Sequence, residues 1–283
     1  MAGESQPAEA KASAERLLEI YRRLYAAYGP QHWWPADAPF EVVVGAILTQ
    51  SAAWVNVEKA IENLRATGIL SPQGLLKVSL DELARLVYPA GYYNAKARKL
   101  KAFLEMLFDL HGGQLDALFA LPLPELRQEL LATHGIGQET ADSIILYAAE
   151  KPSFVIDAYT RRVFSRLGLA PAGDSYASWQ AMFSDALPPD MQLFNEYHAL
   201  IDCHAKTVCR KAPLCDRCCL REVCRLAMGG GSWFDKLTMS GDAQGLQTAR
   251  PEPVVSAAEG PAKGSAAAEG RLQCGARSRR PLR

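Results

Sequence analysis

Six of the seven cysteines in this chain of 283 residues fall between positions 203 and 224. Four of them have the spacing C-x5-C-x2-C-x5-C, namely Cys209, Cys215, Cys218 and Cys224. This density favours a metal centre, because clustered thiolates are strong ligands for zinc and for iron–sulfur clusters. Zinc ribbons usually have two CxxC pairs, whereas this segment has one pair with a single cysteine on each side. We therefore expect a 4Fe-4S cluster, in which each iron takes one thiolate, with a zinc site as the alternative.

Three further cysteines are not expected to bind the metal. Cys203 and Cys219 are interpreted as small apolar residues, and Cys274 stands alone in the C-terminal segment. Arg210 and Lys211 lie between the first two predicted ligands. These cations can offset the negative charge of a cluster, and we also expect them to contact phosphate groups.

Upstream of the cysteines, the segment His134-Gly135-Ile136-Gly137 joins two predicted helices. Glycine adopts positive φ angles easily and lets an anion approach the backbone. The first N–H groups of the next helix have no partner within that helix, so they can bind a phosphate. Any corner between two helices can use the same glycines, and a purely structural turn is the alternative. The carboxylate of Asp157, between this hairpin and the cysteines, favours a functional site.

Helical periodicity dominates the chain, and the alternating segment 153–156 is too short to build a sheet. A capping box, in which Ser79 precedes Glu82, predicts the start of a short helix. The helix predicted over residues 94–111 has Lys96 on its exposed side. We therefore predict an all-α fold, with longer helices over residues 14–28, 40–49, 54–67, 94–111, 124–133, 139–150, 158–167, 176–187 and 191–206.

Composition predicts two helical lobes between loose ends. Residues 1–13 are rich in Ala, Glu, Ser and Pro, and residues 229–283 lack periodic apolar residues, so a loose N-terminal tail and a disordered C-terminal tail are expected. Residues 14–39 and 150–228 form the predicted cluster-bearing lobe. Residues 40–149 form a predicted six-helix lobe that ends in the helix-hairpin-helix motif.

The bulk composition restricts the function. The formal net charge is zero and apolar residues make up 49% of the chain. A neutral chain is not a general binder of polyanions, so any contact with DNA requires a local basic surface. No apolar run can span a membrane and no secretory signal is found, so we expect a cytoplasmic, nucleoid-associated monomer. Disulfides are rare in that compartment, which again favours metal ligation by the clustered cysteines.

Taken together, these motifs resemble the helix-hairpin-helix DNA glycosylases of the endonuclease III superfamily, over about residues 30–226. The segment 32–35, which contains Trp33 and Trp34, is similar to the endonuclease III-related branch that includes 3-methyladenine glycosylases. The resemblance implies excision of a damaged base from double-stranded DNA. The segments that carry it are the cysteine loop and residues 45–50, 91–97, 135–141 and 155–159.

The resemblance also implies roles for individual residues. Asp157 matches the catalytic aspartate of the family, and Gln50 matches the glutamine that fills the gap left by a flipped base. Gly135, Gly137 and Thr140 match the DNA-binding hairpin. Asp157 is also well placed to cap the N terminus of the helix that follows, so a pure capping role is the alternative.

Glu139 stands where the bifunctional endonuclease III has a lysine that attacks the sugar. A carboxylate cannot form a Schiff base, so we expect a monofunctional glycosylase with Glu139 in the base pocket. Trp33, Trp34 and Trp54 are expected to line the same pocket, because an alkylated purine is cationic and stacks well on indole. The alternative for each of these tryptophans is a place in the core.

Other functions stay open at this point. The chain could be a bifunctional glycosylase/AP lyase acting on oxidised pyrimidines, with another lysine in place of the missing amine. It could also be a non-catalytic iron–sulfur DNA-binding module. An adenine-mismatch glycosylase is less favoured, because residues 229–283 lack the pattern of an additional recognition domain.

Overall fold

A computed structural model describes residues 5–229, with side chains described from residue 11. The predicted all-α fold is confirmed, since this part of the chain contains no β-strand. None of its helices is long and apolar enough to cross a membrane. The helices are α1 (Ser5–Tyr28), α2 (Pro39–Leu48), α3 (Trp54–Ala66), α4 (Pro72–Lys77), α5 (Leu80–Leu86), α6 (Tyr93–His111), α7 (Leu115–Phe119), α8 (Leu123–Ala132), α9 (Gln138–Tyr147), α10 (Ala158–Leu167), α11 (Tyr176–Ser184) and α12 (Met191–Thr207).

Helix α1 begins at Ser5, so most of the segment predicted to be a loose tail, residues 1–13, is helical. Alanine, glutamate and lysine favour helices. Pro7 is tolerated in the first turn, because the N–H group that proline lacks has no acceptor within the helix at that position. Further along, Leu17 is buried, and α1 packs against α12. The hydroxyl of Tyr197 in α12 donates a hydrogen bond of 2.8 Å to the carbonyl of Leu17.

The helices that carry the candidate site meet around α2. Residues 40–48 of this helix are all buried, which fits their nearly continuous apolar sequence. Helix α2 packs against α3, α6 and α9, helix α9 also contacts α8 and α12, and α10 packs along α12. The division into two lobes stays a prediction. The predictions for residues 230–283, including Cys274, concern positions outside the described residues.

Side-chain caps fix where several helices begin. Ser79 accepts a hydrogen bond of 3.2 Å from the backbone N–H of Glu82, and the predicted cap of α5 is thereby confirmed. Asp157 caps α10 and Asp190 caps α12. Each cap gives a partner to an N–H group that the helix itself leaves unsatisfied.

A buried ion pair holds the segment that leads into α10. The carboxylate of Asp142 in α9 is fully buried and accepts two hydrogen bonds, of 2.8 and 3.0 Å, from the guanidinium of Arg127. It also accepts a hydrogen bond of 2.7 Å from the hydroxyl of Ser153. Because charge-assisted hydrogen bonds are strong in a buried setting, this network fixes the extended segment that ends at Asp157.

The prediction that Lys96 lies on the exposed side of α6 is wrong. Its side chain is only 2% exposed, and its ammonium group donates a hydrogen bond of 2.7 Å to the carbonyl of Ala90. This carbonyl ends the 3-10 turn Tyr88–Ala90. Burial lowers the pKa of Lys96, and the nearby Lys99 lowers it further. The lysine therefore supports the loop before α6 from inside the protein.

Candidate active site and cysteine loop

The two glycines of the hairpin have different structural roles. Gly135 has a φ of 82°, and a Cβ atom at this position would lie 2.3 Å from Cγ of Lys99 in α6. Gly135 is thus required by its backbone angle and by its close neighbour. Gly137 has an ordinary φ of −90°, and a Cβ atom there would meet nothing within 4 Å. Nothing inside the protein requires a glycine at position 137.

Gln50 is fixed to the hairpin by its side-chain amide. Its Nε2 donates hydrogen bonds to the carbonyl of Gly135 at 3.1 Å and to the hydroxyl of Thr140 at 2.8 Å. Lys99 donates a hydrogen bond to the Oε1 atom of Gln50. The predicted gap-filling glutamine therefore lies beside the predicted DNA-binding hairpin, and its amide is held by three contacts.

Helix α9 offers free backbone donors next to the hairpin. Gly137 is its N-cap residue and has no side chain to accept a hydrogen bond. The N–H groups of Gln138, Glu139 and Thr140 in the first turn lack acceptors within the helix. The Thr140 side chain is buried and its hydroxyl is used by Gln50, so only its backbone is available to a ligand.

Asp157 uses one carboxylate oxygen as a helix cap. Its Oδ1 accepts a hydrogen bond of 2.6 Å from the backbone N–H of Thr160. The other oxygen, Oδ2, lies 3.9 Å from Nε2 of His198 in α12, and the Asp157 side chain is only 15% exposed. The structure therefore shows the capping role directly, and it leaves Oδ2 available for a second role.

Glu139 lies in the first turn of α9, close enough to Asp157 for their charges to interact. Burial of its carboxyl group and the negative charge of Asp157 raise the pKa of Glu139 to about 7, while Arg161 acts in the opposite direction. The residue as a whole keeps substantial exposed surface. The desolvation therefore acts on the carboxyl group, while other parts of the side chain face solvent.

The three predicted pocket tryptophans form one compact cluster. The ring centroids are 5.1 Å apart for Trp33 and Trp34, 5.3 Å for Trp33 and Trp54, and 5.2 Å for Trp34 and Trp54. All three rings are half-buried and pack against the core. A base held between two parallel rings needs roughly 7 Å between them, which is two contacts of about 3.5 Å. No base therefore fits between these rings as they stand.

Two residues that the sequence did not single out connect this cluster to Asp157. The ring of Tyr147 at the end of α9 lies 5.3 Å from the ring of Trp34. The Tyr147 hydroxyl is 2.6 Å from Nδ1 of His198, whose other nitrogen faces Asp157. Tyr147 and His198 are 51 residues apart, and no short motif joins them, so local sequence patterns carry no signal of this contact.

The four predicted metal ligands lie together in the loop after α12. Cys209, Cys215, Cys218 and Cys224 are all free thiols. Burial raises the pKa of the Cys218 thiol to about 11, and the other three thiols are near enough to raise it further. Cys219 is also a free thiol.

Two arginines of α10 attach this loop to the helix that Asp157 begins. Arg162 donates hydrogen bonds to the carbonyls of Cys209 at 3.0 Å and Ala205 at 2.9 Å. Arg166 donates to the carbonyl of Arg210 at 2.6 Å and to Sγ of Cys209 at 3.3 Å. The predicted phosphate-binding side chains of the loop, Arg210 and Lys211, are exposed.

Comparison with known proteins agrees with this architecture. Residues 44–189 match the family described as HhH-GPD superfamily base excision DNA repair protein. A candidate DNA repair glycosylase of Methanocaldococcus jannaschii is 46% identical over 211 residues, which cover 74% of this chain and 96% of that protein. Endonuclease III of Sulfolobus acidocaldarius is 30% identical over 187 residues, covering 66% of this chain and 81% of that enzyme.

Solved structures show the same fold. An endonuclease III trapped as a covalent intermediate with DNA aligns with a TM-score of 0.66 at 22% identity and covers 77% of this chain and 98% of that chain. The H. pylori 3-methyladenine DNA glycosylase MagIII, bound to 1,N6-ethenoadenine, aligns with a TM-score of 0.58 at 26% identity and covers 69% of this chain and 97% of that chain.

The chain therefore belongs to the HhH-GPD superfamily of base-excision DNA repair proteins, which contains endonuclease III and its relatives. The predicted resemblance is thus confirmed. Within this superfamily the chain is a DNA N-glycosylase, an enzyme that separates a base from its deoxyribose.

Proposed function

We propose that this glycosylase is monofunctional and hydrolyses the N-glycosidic bond of an alkylated purine in duplex DNA. The observation that carries the proposal is the pair of interacting carboxyl groups, Asp157 and Glu139, at the position where a bifunctional enzyme needs an amine. A carboxylate cannot form the Schiff base that precedes strand cleavage. It can stabilise positive charge on the sugar, which is what a hydrolytic route requires.

Asp157 is the proposed catalytic residue. The leaving alkylated base is already cationic, so its departure needs little help from an acid. The sugar develops positive charge as the bond breaks, and the free Oδ2 of Asp157 stabilises this charge or orients the attacking water. The cap from Oδ1 to the N–H of Thr160 holds the carboxylate in place during this step.

The aromatic cluster supports a cationic, planar substrate. An alkylated purine gains cation–π attraction over the face of an indole ring. Because the three tryptophan rings lie too close together to enclose a base, we propose that the base stacks on the outer face of the cluster. The similarity to MagIII, a 3-methyladenine DNA glycosylase that is 26% identical, supports the same substrate class.

The proposed DNA-binding surface follows the hairpin and the start of α6. The free N–H groups of α9 and the open space at Gly137 suit a close phosphate approach. Gln50 lies beside them and is proposed to fill the gap in the duplex after the base leaves the stack. Tyr92, just before α6, is 74% exposed, and an aromatic ring at this place can stack on a base. Arg210 and Lys211 extend the surface to the cysteine loop.

We further propose that Cys209, Cys215, Cys218 and Cys224 hold a 4Fe-4S cluster. A tetrahedral zinc site, with Zn–S bonds of 2.3 Å, needs its sulfur atoms about 3.8 Å apart. In the described chain no three His, Cys, Asp or Glu side chains converge enough to hold a single ion. A cluster suits four thiols that lie near enough for their charges to interact, because each iron takes its own thiolate. When bound, the cluster supplies a structural brace for the loop.

The substrate proposal is tested by incubating the purified protein with duplexes that contain one alkylated, oxidised or deaminated base, and then identifying the released base. We expect release of an alkylated purine and an intact abasic strand. An Asp157→Asn variant keeps an amide oxygen for the helix cap, because asparagine is as good an N-cap as aspartate. We expect its excision rate to fall by at least about a hundredfold.

Asp190→Asn is the matched control, since Asp190 caps α12 through hydrogen bonds of 2.8 and 3.2 Å to Gln192 and Leu193. This variant is expected to keep the wild-type excision rate. Full activity of Asp157→Asn would reduce Asp157 to a helix cap and refute its catalytic role.

A bifunctional enzyme is the second candidate, because Lys206 lies near the site. The ammonium group of Lys206 is 2.7 Å from the carboxylate of Asp202 and 5.5 Å from the ring centroid of Tyr159. Borohydride treatment of the protein on abasic DNA distinguishes the two candidates. Any covalent adduct would contradict the monofunctional proposal, and its loss in a Lys206→Ala variant would identify Lys206 as the amine; the absence of an adduct supports the proposal.

A further inference from the structure

We propose that His198, held by Tyr147, is a positioning residue that orients the carboxylate of Asp157 for catalysis. The inference rests on the hydrolytic function proposed above and adds two residues to it. Neither residue belongs to the hairpin, to the segment around Asp157 or to the cysteine loop. Tyr147 is the last residue of α9, and His198 lies within α12.

The three side chains follow one another through two successive contacts. Nδ1 of His198 is 2.6 Å from the hydroxyl of Tyr147, and Nε2 is 3.9 Å from Oδ2 of Asp157. The His198 side chain is only 12% exposed. Its Nε2 atom is inaccessible to solvent and has no hydrogen-bond partner among the described residues. A buried polar atom without a partner is costly, and in this case it faces a carboxylate.

The carboxylate of Asp157 favours one tautomer of His198, because a hydrogen on Nε2 faces this carboxylate, whereas a lone pair on Nε2 would be repelled by it. Burial raises the pKa of the Tyr147 hydroxyl well above its usual value, so this group stays protonated at neutral pH. When the hydroxyl donates to Nδ1, the neutral imidazole carries its hydrogen on Nε2. That N–H then faces Oδ2 of Asp157. Catalytic hydrogen bonds are often long without substrate and shorten in the reactive complex, so 3.9 Å is within reach of a small rotation.

The surrounding charges explain why Asp157 needs such a donor. Glu139 in α9 and Asp202 in α12 both lie close enough to Asp157 for their negative charges to repel it. The charge of Asp202 is partly offset by Lys206 at 2.7 Å. Glu196, also in α12, faces Tyr147. A hydrogen bond donated by His198 would therefore offset the repulsion that the neighbouring carboxylates exert on Asp157.

The other oxygen of Asp157 is already held by the backbone of Thr160. With His198 on Oδ2, both oxygens have a defined direction. Contacts to both oxygens reduce the motion of the carboxylate. Hydrogen-bond partners orient catalytic side chains in other enzymes in the same way.

The test is the pH dependence of single-turnover base excision by the full chain. In a His198→Ala variant we expect the rate at neutral pH to fall on the order of tenfold to a hundredfold. We also expect the acidic limb of the pH profile to move up by about one pH unit, because the carboxylate loses its donor. Tyr147→Phe is expected to shift the limb in the same direction by less. His198→Gln, which places an amide donor near Oδ2, is expected to recover part of the rate and of the shift.

His111→Ala is the matched control. His111 is 10% exposed, and its Nε2 is 2.7 Å from the carboxylate of Glu129, far from the proposed active site in sequence. The His111→Ala variant therefore also removes a buried histidine that lies beside a carboxylate. This variant is expected to keep the wild-type pH profile. A slow His198→Ala variant with an unchanged profile would show a purely structural role and overturn the proposal.

A second measurement separates this inference from the substrate proposal. The ring nitrogens of His198 are observed by 15N NMR at pH 7 on the wild-type protein, and the signal is assigned with the His198→Gln variant. We expect the hydrogen on Nε2 in the wild type and a mixture of both tautomers in Tyr147→Phe. A hydrogen on Nδ1 in the wild type overturns the positioning role. Absence of excision activity on every alkylated base refutes the proposed function and does not affect this result.

Discussion

Replacing Glu139 with glutamine is expected to make the free energy of unfolding less dependent on pH. Burial and the charge of Asp157 raise the pKa of Glu139 from 4.5 to about 7. Between these values the folded state binds a proton more tightly than the unfolded state does. The wild-type free energy of unfolding therefore falls as pH rises from about 4.5 to about 7, and this source causes no further change at higher pH. Glutamine has nearly the shape of the protonated form and does not titrate.

The magnitude follows from the pKa and from the exposure of the residue. A pKa change of this size corresponds to about 3.4 kcal/mol above pH 7 for a group without solvent screening. More than a third of Glu139 is exposed, and the ionised form also gains from the N terminus of α9, so both effects reduce the value. We expect Glu139→Gln to be about 1 kcal/mol more stable than the wild type at pH 8, and about a quarter of that at pH 5.

The measurement is urea unfolding followed by circular dichroism at pH 5, 6, 7 and 8 in low salt. Glu125→Gln is the control, because Glu125 is an exposed glutamate in the first turn of α8. This control is expected to lose a little stability at every pH above 5. The stability of Glu139→Gln could instead run parallel to that of the wild type across the range, or fall below it at pH 8. Either result would show that burial and Asp157 do not destabilise the ionised form of Glu139.

Three further substitutions test the hairpin and the cysteine loop. Gly135→Ala places a side chain at a positive φ against Lys99, and we expect the unfolding free energy to fall by about 1–2 kcal/mol in urea titrations. Gly137→Ala meets no neighbour but places a poor N-cap residue before α9, so the unfolding free energy should fall by about 0.5–1 kcal/mol, while fluorescence anisotropy should show DNA binding weakened by roughly tenfold or more. Arg166→Gln removes a donor to Cys209, and the absorbance of the reconstituted protein at about 400 nm should then decay faster in a chelator.

Local sequence patterns predicted most of the helices that carry the site. The predicted bounds of α10 agree with the structure, because Asp157 provides a cap at one end and Gly168 adopts a left-handed conformation at the other. The short helices α4 and α7 have too few residues to show a periodic pattern. Helix α1 starts earlier than predicted, because a segment rich in Ala and Glu is compatible with both a helix and a loose tail.

Local sequence patterns do not predict contacts between residues that are distant along the chain. Lys96 fits an exposed helical face by its charge, but its position in the fold directs it to the carbonyl of Ala90. The side chains around Asp157 come from α9, α10 and α12, and only the packing of these helices brings His198 to the carboxylate. The spacing of the four cysteines predicted a metal centre, since those positions follow one another closely along the chain, whereas the role of Asp157 was predicted from the family resemblance.

The contact between Lys99 and Gly135 also restricts how related chains can diverge. A β-carbon at position 135 would need the space that the aliphatic stem of Lys99 occupies. Shortening the lysine would make room, but it would also remove the ammonium group that holds Gln50. Substitutions at these three positions should therefore be inherited as compensating sets, and an alignment in which they vary independently would show that the contact is dispensable.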